Sequence, residues 1–176
     1  MDFEMMNRVR SEIAAFHLPR YHEIPSIGLY LEQTSKYVSE CFAPLMKESM
    51  TGSMISNYVK RGVLSNPSKK QYSREQIASL ICIAAIKPVL SMEDIKLMFL
   101  IQRRSYESQR AYDYFCSEFE NVLEYVFGCK EKLEVIGTEN TDEKVMLRNI
   151  VTAAAHALYL GNMFSALHEQ EKQRTE

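Results

Sequence analysis

Apolar positions recur every three or four residues along most of this chain, and the breaks fall at Pro, Gly or capping residues. That pattern predicts helices joined by short irregular segments. Val9, Ile13 and Phe16 predict a weakly amphipathic helix over 1–16, and Pro19 and Pro25 bracket a connector, LPRYHEIP. Ser26 is the N-cap candidate for a helix to about Ala43, burying Leu31, Thr34, Val38, Cys41, Phe42 and Leu45 around a break at Pro44. Thr51 is placed to cap a short helix that Gly62 stops. On it Met54, Ile55, Tyr58 and Val59 share one face, while Ser53, Ser56, Asn57 and Lys60 share the other.

After Gly62 comes VLSNPSKKQY, in which Asn66-Pro67 predicts a turn between two short extended arms, with Lys69, Lys70 and Tyr72 on the returning one. Tyr72 is expected to pack its ring and anchor that arm. Ser73 and Gln76 form a capping box for a helix carrying Ile77, Leu80, Ile81, Ala84 and Ala85 and ending at Pro88. Ser91 caps the next, which carries Ile95, Met98 and Phe99. A longer helix is predicted over 105–127, closed by Gly128, with Tyr112, Phe115, Phe119, Val122, Leu123 and Val126 inward. Its expected length is about 35 Å. The last helix is predicted to start near Asn140 or Thr141, with Glu143 as boxing partner, and to reach about His168. Leu147, Ile150, Val151, Ala154 and Leu158 form its stripe, and Ala153, Ala154, Ala155 and Ala157 permit close helix approach.

Charge adds a division of labour. Between Ser49 and Arg74 stand five basic residues (Lys60, Arg61, Lys69, Lys70, Arg74) and no acidic one, in a chain of net charge −2. From Ser105 onward seven Lys/Arg face thirteen Asp/Glu. A cationic island on a small helix and its following loop suits a phosphate backbone, whereas lysines on a solvated loop or guarding a strand edge are the plainer account. The outward Ser53, Ser56 and Asn57 are small hydrogen-bonding groups of the kind that fit base edges. Hydrophobic content of 46% and only six Gly and five Pro fit a helical globular protein rather than a disordered one.

The stretch MISNYVKRGVL…KKQYSREQIASLICIAAIKPVLSMEDIKLMF resembles the DNA-binding domain of MerR-type regulators. Tyr58, Gly62, Lys70, Tyr72, Ser73, Ser91, Glu93, Asp94 and Ile95 occupy the positions that carry the likeness. With LPRYHEIPSIGLYLEQTSKYV in front, residues 18 to 170 resemble the bacterial family known as domain of unknown function 1836. Two places depart from the regulators: Ser56 stands where they usually carry Arg, and Phe42 to Met50 is longer than their tight turn. The resemblance implies an all-α, mainly helical fold: a winged helix-turn-helix with a small β-wing, then a C-terminal helical domain. The expected division is 1–22 (helix and connector), 23–103 (DNA-binding domain) and 104–176 (dimerisation, effector or partner domain).

The function expected on these grounds is a cytoplasmic transcriptional regulator, a homodimer through its C-terminal helices, bound to duplex DNA. Its contacts are expected from Ser53, Ser56, Asn57, Tyr58, Lys60, Arg61, Lys69, Lys70, Tyr72 and Arg74. The alternative is an interaction adaptor that keeps the fold without the DNA. A small-molecule effector among Tyr106, Tyr112, Tyr114, Tyr125 and Tyr159 fits either reading. No nucleotide-binding, zinc-protease or nucleophile-elbow motif occurs, and His17, His22, His156 and His168 are dispersed. No catalytic residue, metal or cofactor is expected. Cys82 and Cys116 lie among apolar residues, which predicts buried free thiols. The start, MDFEMMNRVR, lacks a secretory signal pattern, and the apolar run Ile81 to Leu90 is too short to cross a bilayer.

Overall fold

The computed structural model describes residues 3–46, 50–138 and 141–175. Among them, seven helices and two short strands follow one another. α1 (Phe3–Ala14) leads through a single 3-10 turn at Tyr21–Glu23 to β1 (Leu29–Tyr30) and α2 (Leu31–Cys41). Then come α3 (Gly52–Lys60), β2 (Gln71–Tyr72), α4 (Arg74–Ile86), α5 (Met92–Ser105), α6 (Ser108–Val126) and α7 (Asp142–Thr175).

Local chemistry sets most of the helix ends. The Thr51 hydroxyl accepts from the Met54 amide at 3.2 Å, Ser91 accepts from Asp94, and the Ser73–Gln76 box closes in both directions. Each cap of this kind is worth about 1 kcal/mol. Gly62 and Gly128 end α3 and α6 at φ +70° and +72°, conformations that side chains resist.

Three boundaries differ from the expectation. Ser26 does not cap α2; the chain stays extended to Tyr30 because β1 pairs antiparallel with β2, Leu29 opposite Tyr72 and Tyr30 opposite Gln71. α6 starts at Ser108 rather than 105, because α5 runs to Ser105 and the break falls at Tyr106–Glu107, so α6 has 19 residues and spans about 28 Å rather than 35. α7 runs past His168 to Thr175. Asn140, offered as a helix start, lies outside the described residues, whereas Thr141 receives the Lys144 amide at 3.4 Å.

One buried cluster extends from Ile13 and Phe16 at the end of α1, through α2 to α4, to Val151, Ala155 and Leu158 of α7. Its centre is aromatic: Phe119 meets Phe16 and Phe42 edge-on at 6.3 Å and stacks on Phe115 at 5.8 Å. α4 is buried almost all round, which explains its apolar run from Ile77 to Ile86. Within Asp142–Lys172 of α7, an 18-residue stretch has a mean hydropathy of 1.3, which matches a membrane span by length and composition alone. Val151, Ala154, Ala155, Leu158 and Met163 of this helix are buried in the protein, and 28% of the apolar stretch is buried in all. All four cysteines are free, and Cys82 and Cys116 are buried. Burial pushes the Cys41 and Cys116 thiols up to about 12, so both stay protonated at neutral pH.

Polar contacts tie the connector to α6. Glu120 holds Arg20 through two hydrogen bonds at 2.7 and 2.6 Å and also takes the Leu18 amide at 2.8 Å. Asp113 accepts from the Tyr21 amide, and the Tyr112 hydroxyl donates to the Pro19 carbonyl. Behind α6, the fully buried Glu118 is bound by Arg148 of α7 at 2.5 and 3.2 Å. That hydrogen bond is the chief reason the Arg148 guanidinium holds its proton more tightly than usual.

Gly28 is where the small sheet is most sensitive. A Cβ there would stand 2.8 Å from the Gln71 Cβ, closer than side-chain carbons approach. Gly28→Ala should therefore push β1 from β2 and cost about 1–3 kcal/mol. A circular-dichroism melt should show the midpoint lowered by several degrees.

Candidate nucleic-acid interface

α3 divides as its sequence period demands. Ile55 and Tyr58 are buried, Met54 and Val59 half-buried, and Ser53, Ser56, Asn57 and Lys60 all exposed. The helix packs on α2, and its first residue sits tight against the start of that helix: a Cβ on Gly52 would lie 3.4 Å from both Leu31 Cγ and Glu32 Oε1. Two hydroxyls on the outer face are engaged locally. Ser53 shares a hydrogen bond with Thr51 at 2.9 Å, and Ser56 donates to the Gly52 carbonyl at 2.9 Å. Asn57 and Lys60 project from the same face.

The following loop reverses at a place the residue signals did not indicate. Asn66-Pro67 lies in irregular backbone before the reversal. The tight turn is Ser68-Lys69-Lys70-Gln71, closed by the Gln71 amide donating to the Ser68 carbonyl at 2.8 Å. Lys69 and Lys70 take φ of +47° and +65°, the sign pair of a type I′ hairpin turn. That conformation favours Asn-Gly; for lysine it costs energy, of order 1 kcal/mol or more per residue. The surrounding contacts hold it. Val63 and Leu64 are buried at the outgoing arm, Tyr72 is buried at the returning one, and Gln76 donates to the Ser65 carbonyl at 2.8 Å. Both lysines are exposed. The turn's strand pairs with the residues leading into α2, and α3 abuts the start of α2, so both cationic elements flank that helix.

Three expected contact residues are not available to a surface partner. Tyr58 is 6% and Tyr72 4% exposed, both rings serving the core; the extended arm turns Tyr72 inward, where it fixes the turn's base. Arg74 donates from Nε to the Ile24 carbonyl at 2.8 Å, and its guanidinium lies 5.7 Å from the Tyr21 ring centroid. It staples the connector to α4 rather than facing solvent freely. Arg61 remains exposed as the C-cap of α3.

One cation escaped the sequence reading. Lys96 of α5 brings Nζ to 3.5 Å from the Arg61 carbonyl, beside Gly62. Its neighbours Glu93 and Asp94 outweigh its charge locally, so charge counting passes over it. Its contact with a carbonyl 35 residues away had no sequence signal. Of the five tyrosines considered for a ligand site, Tyr106, Tyr112 and Tyr114 line a common cleft, whereas Tyr125 and Tyr159 lie elsewhere.

The structure is that of a helical protein with a small two-stranded sheet, in which cations stand on a short helix, on a positive-φ lysine turn and on a later helix. The chain belongs to the family described as Domain of unknown function (DUF1836), whose model matches residues 19–115. That match covers the connector, the sheet, α2 to α5 and the first part of α6. Neither a curated protein nor a solved structure matches the chain.

Proposed function

We propose that this protein is a transcriptional regulator that binds duplex DNA through a MerR-like winged helix-turn-helix. In this reading α2 and α3 are the helix pair, α3 enters the major groove, and the lysine turn is the wing. The observation that carries it is the turn itself: two adjacent exposed lysines held at positive φ, on a strand paired beside α2. Strained, exposed cations are a poor choice for stability and a good one for a phosphate backbone. Lys60, Arg61 and Lys96 extend the positive edge, and Asn57 is the outward group best suited to a base. Dimerisation is assigned to α7, where Leu160 and Phe164, one turn apart, are more than half exposed.

With four or five phosphate contacts per protomer, log K should fall against log salt with a slope of about −4. Fluorescence anisotropy on duplexes enriched from a random library measures it, and a slope near zero overturns the proposal. In the same assay Asn57→Ala should cost about 1–3 kcal/mol on the preferred duplex and little on others.

A second reading, an interaction adaptor, draws on the local commitment of Ser53, Ser56 and Arg74 and on the acidic C-terminal half. It predicts no enriched duplex and co-purification of a basic protein with the full chain.

A further inference from the structure

A cleft of about 310 Å³ opens between α4, α5, α6 and the start of α7. Its floor is apolar, formed by Ala78, Cys82, Phe99 and Phe115, each less than 10% exposed. The cleft is open to solvent and its apolar floor offers a surface for the apolar part of a small molecule. At about 30 Å³ per water-sized unit it takes roughly ten non-hydrogen atoms. That is the lower end of the usual range for ligand sites, about 300–1,000 Å³.

The mouth carries the charge. Arg103, Arg110 and Lys144 line it against Glu75 and Glu143. Glu75 already accepts from the Ser108 hydroxyl at 2.6 Å, and the Lys144 ammonium lies 5.2 Å from the Tyr114 ring centroid. The Arg103 and Arg110 side chains are exposed and make no hydrogen bond or ion pair among the described residues. The first turn of α6 also reaches the cleft through Ser108 and Arg110, and its N-cap, Glu107, makes no side-chain capping bond. Uncapped amides at the positive end of a 19-residue helix, beside two unpaired guanidiniums, favour an anion.

We infer that this cleft binds a small monocarboxylate with an apolar chain or ring. The apolar body lies on Ala78, Cys82, Phe99 and Phe115; the carboxylate meets Arg103, Arg110 and the first turn of α6 at the mouth. The inference does not depend on the DNA reading.

The test uses the full chain with octanoate and 3-phenylpropionate, against the matching alcohols and octylamine, by calorimetric titration and thermal melting. The carboxylates should bind at least tenfold tighter than the alcohols or the amine. At a hundredfold excess over Kd they should raise the melting midpoint by about 5 °C or more. Arg103→Gln with Arg110→Gln, both at exposed positions, should abolish that preference while leaving the alcohols' affinity unchanged. Intermolecular NOEs from the octanoate chain should reach Phe115 and the Ala78 methyl. Failure of either carboxylate to bind at millimolar concentration overturns the inference. So does equal or tighter binding of the amine, a preference that survives the double substitution, or NOEs to another part of the chain.

Discussion

Replacing Lys69 with Asn and Lys70 with Gly should weaken duplex-DNA binding by about tenfold or more while making the protein more stable. The two effects separate because the turn asks for one chemistry and the phosphate backbone for another. At φ +47° and +65° the lysines sit where Asn-Gly is at ease, so the exchange relieves backbone strain of order 1 kcal/mol or more. The melting midpoint should rise by about 2–4 °C for each kcal/mol gained. Removing two of the four or five proposed phosphate contacts should flatten the salt slope by about 2. Lys69→Glu with Lys70→Glu keeps the strain and adds repulsion, and should cut affinity by about 100-fold on every duplex alike. Anisotropy titrations and melts of both variants, run in parallel, read the two effects. Unchanged binding in the Asn-Gly variant would leave the turn without a role in DNA contact.

Arg148→Ala should be the most damaging single change outside the aromatic centre. Glu118 is fully buried, and Arg148 donates two hydrogen bonds to it from the guanidinium. Truncating the arginine strands a carboxylate in the core, at a cost of about 3–5 kcal/mol. For a chain of this size that corresponds to a fall of about 10 °C in the melting midpoint. Replacing both partners, Glu118→Leu with Arg148→Met, should recover most of the loss, because the burial penalty leaves with the charges. Thermal and urea unfolding of the two single variants and the double variant closes the cycle and measures the coupling directly.

Much of the front half was legible before any coordinates. The Thr51 cap, the Gly62 stop, the Ser73–Gln76 box and the outward Ser53, Ser56, Asn57 and Lys60 all depend on neighbours within four residues. The inward stripes of α6 and α7 were legible for the same reason. The lysine turn was misplaced because Asn-Pro is the stronger local turn signal. Pairing of β2 with β1, Leu29 opposite Tyr72 and Tyr30 opposite Gln71, overrode it. Ser26 was misread as a cap for the same cause: an extended segment needs a partner strand, and two paired residues leave no periodic trace.

The sequence by itself determined a helical protein, its helix faces and caps, and a cationic helix-and-loop segment, because each is written in charge or in contacts along one turn of chain. Only the tertiary structure decided which of those cations are free. Arg74 is drawn to Ile24 and Tyr21, Lys96 is brought beside Arg61, and Tyr58 and Tyr72 are taken into the core. The cleft between α4 and α7, and the Glu118–Arg148 pair behind α6, likewise exist only where distant segments meet. Packing sets those positions, and packing is a property of the whole chain rather than of any window within it.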